Sequence, residues 1–236
     1  MPESIYCGIA IGGCAYRSMV HCAHAASLAE FAVECRDDDG AVLAEIAYQH
    51  TSNLPQGRSL WLRDRIRGEC DVAVTVDSDT AYDARSMLRG CQYMRATEFA
   101  CPDIAIGIAP VIRVNRRGFS LNIFHAPGEP LAPSACGGGH PDLWAGGFGV
   151  AVFNLAWFRR NWTDPYPESF GIPSDSINQG EDIQMCRSVA NRGGRIIPLW
   201  VPTTHYDMTG SVVVGESLGY LDGRMVVGDS GRRQLT

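Results

Sequence analysis

Asp77-Ser78-Asp79 places two carboxylates one residue apart, directly after the apolar run Val72–Val76. Where a strand ends and the backbone turns, two such groups can offer oxygens to one divalent cation. Ligands of open α/β sheets bind at the carboxyl ends of strands, so the position carries more weight than the triplet itself. The similar Asp37-Asp38-Asp39 reads as an ordinary polar turn. The plain alternative for the first triplet is helix capping by Asp77 or Asp79, followed by surface aspartates.

Gly180-Glu181-Asp182 stands immediately before Ile183, Cys186, Val189 and Ala190, which recur at helical spacing, so both acids fall in a first helical turn. There they complement the helix dipole, worth about 0.3–1 kcal/mol each. The sharper reading is a carboxylate held at a rigid helix start to take a proton from an acceptor hydroxyl or to orient it. His205 follows the apolar segment Arg195–Val201. A lone histidine is more often structural than a ligand, but here it is the candidate third ligand for the ion that Asp77 and Asp79 would hold. Oxygen donors suit Mg²⁺ or Mn²⁺, and one imidazole shifts the preference toward Mn²⁺.

These residues need a scaffold, and the hydropathy pattern supplies one. Strands are expected over Ile5–Ile11, Val42–Tyr48, Asp71–Val76, Asp103–Val114, Ser120–Phe124 and Arg195–Val201. Helices are expected over His21–Cys35, Leu60–Glu69, Asp83–Phe99 and Asp182–Arg192, and Gly12-Gly13 reads as a turn. Strands alternating with helices predict an α/β fold with parallel strands at the centre of the sheet. His125–Pro141, with four prolines and four glycines, reads as a long loop that orders over bound substrate.

Composition narrows the chemistry. The chain has 236 residues, 45% hydrophobic and 19% charged, which suits one folded core and excludes intrinsic disorder. All 20 basic residues are arginine, which excludes a lysine Schiff base and a lysine-dependent phosphate loop. A net charge of -6 gives no global field for nucleic acid, though a local arginine groove would suffice. Nine scattered cysteines without a CxxC pair indicate neither a zinc site nor a disulfide framework. No apolar stretch is long enough to span a bilayer, and the N-terminus lacks the basic lead of a secretory signal. The expected location is cytoplasmic, in a bacterium or a phage-infected host cell.

The order of motifs resembles the GT-A class of nucleotide-sugar glycosyltransferases, from Ile5 to about Asp207. That resemblance implies a single-domain, Rossmann-like GT-A fold with a mixed, mainly parallel central sheet flanked by helices. Residues 1–115 would form a nucleotide-binding half, 116–210 an acceptor half and 211–236 a C-terminal tail. It implies that Asp77 lies near the ribose and metal, that Asp79 binds the metal and that His205 completes the coordination, with Ser78 beside the donor. Trp144-Ala145-Gly146-Gly147-Phe148-Gly149 is similar to the class's glycine-aromatic segment. Gly146 and Gly147 would then lie at the donor, and Trp144 and Phe148 at the acceptor, with a helix over Phe153–Arg159. Leu54-Pro55-Gln56-Gly57-Arg58-Ser59 is similar to an arginine segment preceding a helix in some relatives, making Arg58 a nucleotide or phosphate contact. Glu181 and Asp182 match the acidic motif whose carboxylate is the base in inverting members, with Asp182 the candidate base and Glu181 also near the acceptor.

The implied function is Mn²⁺- (or Mg²⁺-) dependent hexosyl or pentosyl transfer from a nucleoside-diphosphate sugar to a hydroxyl. The acceptor is a glycan, a protein, a small molecule or a modified nucleic acid base, including a phage DNA base. Two alternatives stay open. One is a nucleotidyltransferase on a related fold, for which Gly12-Gly13 with Arg17 would be a thin phosphate loop. The other is a non-catalytic nucleotide- or carbohydrate-binding module. His21, His24, His125 and His140 read as structural or surface residues. Trp157, Trp162 and Trp200 read as packing, and Arg159-Arg160 and Arg232-Arg233 as solvated surface pairs.

Overall fold

The computed structural model describes residues 7–16, 21–51, 54–115, 118–127, 129–130, 142–162, 180–206, 212–221, 224–227 and 233–234. The chain begins with β1 (Cys7–Tyr16), α1 (Cys22–Asp37), β2 (Ala41–Thr51), α2 (Leu54–Arg67) and β3 (Val72–Val76). A short β4 (Thr80–Tyr82) leads into α3 (Ala84–Ala100), followed by β5 (Ile104–Ile108), β6 (Ile112–Asn115), β7 (Gly118–Leu121), β8 (Ile123–Ala126) and β9 (Glu129–Pro130). Then come β10 (Ala145–Gly146), β11 (Val150–Asn154), α4 (Leu155–Asn161), α5 (Glu181–Ala190), β12 (Arg195–Pro198) and β13 (Thr203–Tyr206). β14 (Val212–Leu221), β15 (Arg224–Val227) and β16 (Arg233–Gln234) complete the described elements.

The central sheet has the order β12-β5-β11-β3-β1-β2. β1 runs parallel to β2 and β3, β12 runs parallel to β5, and β11 lies antiparallel between β3 and β5. This is the expected α/β fold with a mixed, mainly parallel sheet. Its inner strands β3, β5 and β11 are buried on both faces, as continuous apolar runs such as VAVTV require, while the edge strand β2 exposes Val42 and Ile46. Ala73, Ala151 and Phe153 face a core shared with Trp61, Trp157, Phe158 and Met185, while Val74, Val76 and Val152 face Phe31, Met87 and Met94 on the other side. A smaller antiparallel sheet, β15-β14-β13-β4, stands beside the end of β3 and pairs His205 with Thr80.

Several boundaries differ from the expectation, each for a local reason. Gly12 and Gly13 lie inside β1 rather than in a turn. A Cβ on Gly12 would fall 1.7 Å from the Ala47 carbonyl oxygen, the same oxygen that accepts a hydrogen bond from the buried Trp61 indole at 3.0 Å. Glycine is therefore what lets β1, β2 and α2 close together. Gly12→Ala is expected to cost about 3 kcal/mol, the upper end for overpacking. Urea unfolding checks it, and an unchanged midpoint would contradict this packing.

The expected strand Asp103–Val114 is two strands, separated at Ala109–Val111 around Pro110, which has no N–H to give a ladder. Phe153 and Asn154 belong to β11, and the helix starts at Leu155, where the Asn154 side chain accepts from the Trp157 N–H at 3.3 Å. Arg159 and Arg160 are exposed but not merely solvated. Arg159 donates to the carbonyls of Ile66, Gly68 and Cys70 just past α2, and Arg160 donates to Pro102 and pairs with Glu98. Trp157 and Trp162 are buried, as expected, whereas Trp200 is exposed.

Cys7, Cys22, Cys35, Cys70, Cys91, Cys101 and Cys186 are free thiols, and burial pushes Cys7, Cys35 and Cys186 up to about 12. Among the described residues no helix is long and apolar enough to cross a membrane. Most of the loop over His125–Pro141, with His140, lies outside the described residues, as do Arg17 and Asp207. Of the proposed tail, only the strand paths of β14, β15 and β16 are described.

Candidate functional site

Asp77 is the first residue beyond β3, and its N–H donates to the Gly149 carbonyl at 2.9 Å. The next residues turn back at once into β4, closed by the Thr80 N–H donating to the Asp77 carbonyl at 3.0 Å. The aspartates do not cap α3. That cap is Asp83, whose carboxylate accepts from the Ser86 N–H at 2.7 Å. With the capping alternative removed, Asp77 and Asp79 are left as carboxylates at a strand end with no structural duty to the following helix.

Two neighbours hold the turn from outside. The His21 N–H donates to the Ser78 carbonyl at 2.8 Å, and the Tyr206 N–H donates to the Asp79 carbonyl at 2.9 Å. The His21 and Tyr206 rings stack with centroids 4.2 Å apart. Below the turn, buried His24 donates its Nδ1–H to the Thr80 carbonyl at 2.8 Å, because a carbonyl can only accept. Its Nε2 accepts from the Tyr48 hydroxyl at 2.6 Å. Burial lowers the His24 pKa, with Asp77 and Asp79 acting the other way, so the ring is a neutral strut. His24 is structural, as expected, but it braces the acidic turn, a role its sequence context did not reveal.

His205 lies within β13 rather than in a loop after a strand. Its Nδ1–H donates to the Ile112 carbonyl at 2.9 Å, which turns Nε2 toward Asp79 Oδ2, 3.5 Å away. Burial opposes the charged ring, but Asp79 overrides it, and the His205 pKa is raised. When the ring is protonated its Nε2 pairs with Asp79, and a divalent cation would take that proton's place. The carbonyl behind the imidazole is the usual arrangement for a metal-bound histidine.

The third expected ligand is arranged differently. Asp77 Oδ1 accepts from Arg58 at 2.6 Å, and among the described residues no three His, Cys, Asp or Glu side chains gather as a metal cage. The pair Asp79–His205, with Asp77 alongside, fits Mg²⁺ or Mn²⁺, which commonly take one or two protein carboxylates and complete their shell with phosphate oxygens.

Arg58 is the hub of the site. It lies inside α2, which starts at Leu54, so the Leu54–Ser59 segment is the helix and does not precede it. Its side chain is 5% exposed and meets three carboxylates: Asp77, Glu181 at 2.8 Å, and Asp182. The expected nucleotide contact is thus an internal cation joining the end of β3 to the first turn of α5. Gly180, the N-cap of α5, offers no side-chain cap, and the two acids of that turn are directed to Arg58.

Asp182 is 21% exposed and uses both oxygens, Oδ1 to Arg58 and Oδ2 to the Phe148 N–H at 3.1 Å. Burial raises its pKa to about 6, Arg58 opposing and Glu181 and Asp77 adding to the rise. Asp77, 40% exposed, is also raised by burial, with Arg58 opposing and Asp79 adding. Near-neutral titration of a partly exposed carboxylate is what a proton acceptor needs.

The glycine-aromatic segment comes to this cluster, but through its backbone. The Phe148 ring is fully buried against Phe153 at 5.4 Å, so the expected ring contact with an acceptor is replaced by its N–H on Asp182. Gly146 is buried too: a Cβ there would stand 2.8 Å from Ile108 Cδ1, so its smallness serves packing. Gly147 is half-buried and open toward Asp182, whose Oδ2 a Cβ would meet at 3.6 Å. Trp144 is half-buried against the core, and Ser78 is buried. His125 is exposed and pairs with Glu129 at 3.0 Å, away from these residues.

No protein-family model matches the chain, and no curated protein sequence matches it. Among solved structures it is similar to A197 from STIV over 98% of both chains, at 11% identity and a TM-score of 0.51. It is also similar to GalNAc-T7, crystallised with UDP, GalNAc and Mn²⁺, at 10% identity and a TM-score of 0.46. That match covers 89% of this chain and 45% of the other, so this chain spans less than half of it. The likeness to A197 is one of fold and covers nearly the whole chain.

Proposed function

We propose that the chain is a metal-dependent glycosyltransferase that moves a sugar from a nucleoside-diphosphate sugar to an acceptor hydroxyl. One observation carries the reading. A cation-competent pair, Asp79 and His205, and a near-neutral carboxylate, Asp182, stand at the same end of the sheet, tied together by Arg58 and the Gly147–Gly149 backbone. Breaking a sugar–diphosphate bond needs charge stabilisation on one side and a proton acceptor on the other, and these groups are of those two kinds.

Asp79 and His205 would hold the ion, with Asp77 beside them. Bound there, Mn²⁺ or Mg²⁺ supplies Lewis-acid stabilisation of the departing diphosphate. Asp182 takes the proton of the attacking hydroxyl onto the oxygen it frees from Arg58 or Phe148. Glu181, at the same helix start, orients the acceptor. Arg58 holds the acids in register and offsets their mutual repulsion. With no lysine in the chain, arginine is the only permanent cation available to the donor phosphates. The acceptor class proposed is a hydroxyl of a glycan, protein, small molecule or modified nucleic acid base, and the setting proposed is cytoplasmic.

Calorimetric titration of a panel of nucleoside-diphosphate sugars, with Mn²⁺ and then with chelator, tests the class. Binding of one donor only with metal supports it, and no binding in either condition moves the assignment to a non-catalytic module. Asp79→Ala is expected to abolish metal-dependent donor binding and to lower turnover by about 10³-fold or more. Full activity of the wild type in excess chelator would overturn the metal's role.

A further inference from the structure

Asn122 is a single residue between β7 and β8, 2% exposed, in the short run Leu121–Ile123. All four of its hydrogen-bonding groups are used, and they form two pairs. Its N–H donates to the Val111 carbonyl at 3.0 Å, and its Oδ1 accepts from the Val111 N–H at 2.7 Å. Its carbonyl accepts from the Gly147 N–H at 2.8 Å, and its Nδ2 donates to the Gly147 carbonyl at 2.7 Å. The side chain thus mimics a strand, gripping both faces of the peptide groups around Gly147.

What it grips matters. The next N–H along, Phe148, is the one that donates to Asp182 Oδ2, and the Gly149 carbonyl is the one that accepts from Asp77. Gly147–Gly149 is therefore a rail between β10 and β11 that meets one acid from each side of the site, and Asn122 ties its Gly147 end to Val111. The pairings of Gly146 with Ile123 and of Val150 with Val76 hold the two flanks, and the peptide groups of Gly147 between them are held by Asn122.

We infer that Asn122 is a positioning residue: it aims the Phe148 N–H at Asp182 and so sets the direction and proton affinity of that carboxylate. The functional weight of this rests on Asp182 being the proton acceptor, but the clamp itself does not. The charged and titratable groups facing Asp182 are Arg58 from α2, Glu181 and Cys186 from α5, and Asp77 from the end of β3. None of them is a hydrogen-bond partner of Asn122, and the hydrogen-bonded route from Asn122 to Asp182 runs through Gly147 and Phe148.

The test uses the full chain without metal or donor, comparing wild type, Asn122→Ala, Asn122→Asp and the core control Val152→Ala. Amide hydrogen exchange at Phe148 and the ¹³C-carboxylate titration of Asp182, assigned with Asp182→Asn, are the two readouts. Both Asn122 variants lose the donor to Gly147, and Asn122→Asp keeps the acceptor for Val111 should the alanine variant fold poorly; in it Phe148 protection is the only readout, because its own charge raises the Asp182 midpoint directly. Expected are a loss of Phe148 protection of tenfold or more and a rise of the Asp182 midpoint by about one pH unit, since the lost N–H favours the ionised form. Unchanged Phe148 protection and midpoint in a folded variant would overturn the inference. So would equal changes in Val152→Ala, which would show general loosening. Failure of the transferase reading would appear in the separate donor titration and turnover assay, with the Asp182 shift intact in this one, and the two failures are thereby separated.

Discussion

Replacing Arg58 with alanine is expected to lower the free energy of unfolding by about 3–5 kcal/mol at pH 8, the cost of removing one partner from a buried ion cluster. Arg58 meets Asp77, Glu181 and Asp182, and without it three carboxylates from two elements face one another in a partly dehydrated cleft. The loss must depend on pH, and its sign is fixed. The Asp182 pKa in the fold is about 6, above the ordinary 3.8, so protonation favours the native state. That contribution is present in full below about 3.8 and is lost as pH rises through 6. Removing Arg58, which holds Asp77 and Asp182 down, pushes both further up. The variant should be least impaired near pH 5 and most impaired near pH 8.

Urea unfolding at the two pH values checks this, with Arg58→Met separating charge from packing. Adding Asp182→Asn to Arg58→Ala should recover part of the loss at pH 8. An equal loss at both pH values, with no recovery in the double variant, would show that Arg58 acts through its packed stem and not its charge.

The parts of this site legible in the sequence were those attached to a periodic element. Asp77 and Asp79 stood out because five apolar residues end at Val76, and Asp182 because the spacing from Ile183 to Val189 marks a helix start. The identities of the groups followed from pattern; their partners did not. Arg58 meets acids more than 120 positions away, and no local rule reports such a pairing. β11 is not legible because Val150–Phe153 and Leu155–Phe158 read as one apolar run interrupted only by Asn154, and such a run has no period to choose between strand and helix. The signal was Asn154, a capping residue inside the run. Asn122 gives no signal at all, since it lies in the middle of the expected strand Ser120–Phe124, which the fold splits there into β7 and β8, and its partner Gly147 is 25 positions away. Gly12-Gly13 misled because glycine marks turns more often than close strand approach.

Asp182→Asn is expected to lower turnover by about 10²–10⁴-fold, the usual contribution of a positioned base, while leaving donor affinity nearly unchanged. The amide keeps the shape of the carboxylate and the reach to its neighbours. It has one oxygen where Asp182 uses two, so it can accept from Arg58 or from the Phe148 N–H but not both. It cannot take a proton from a hydroxyl. The donor side, Asp79 with His205, is untouched by the change. In the wild type, a base that ionises near 6 makes kcat/KM rise as pH passes through that value, and the variant should lose this acidic limb. Stability should respond with the opposite slope. Wild type gives up stability as pH rises through 6 because a carboxylate must ionise in the cleft, and Asp182→Asn has nothing to ionise there, so its stability should vary less between pH 5 and pH 8. Single-turnover rates, donor titration and urea unfolding at those two pH values measure all three effects on one protein. Collapse of donor affinity together with turnover would move Asp182 from the acceptor side of the reaction to the donor site, and the base would then have to be sought at Glu181.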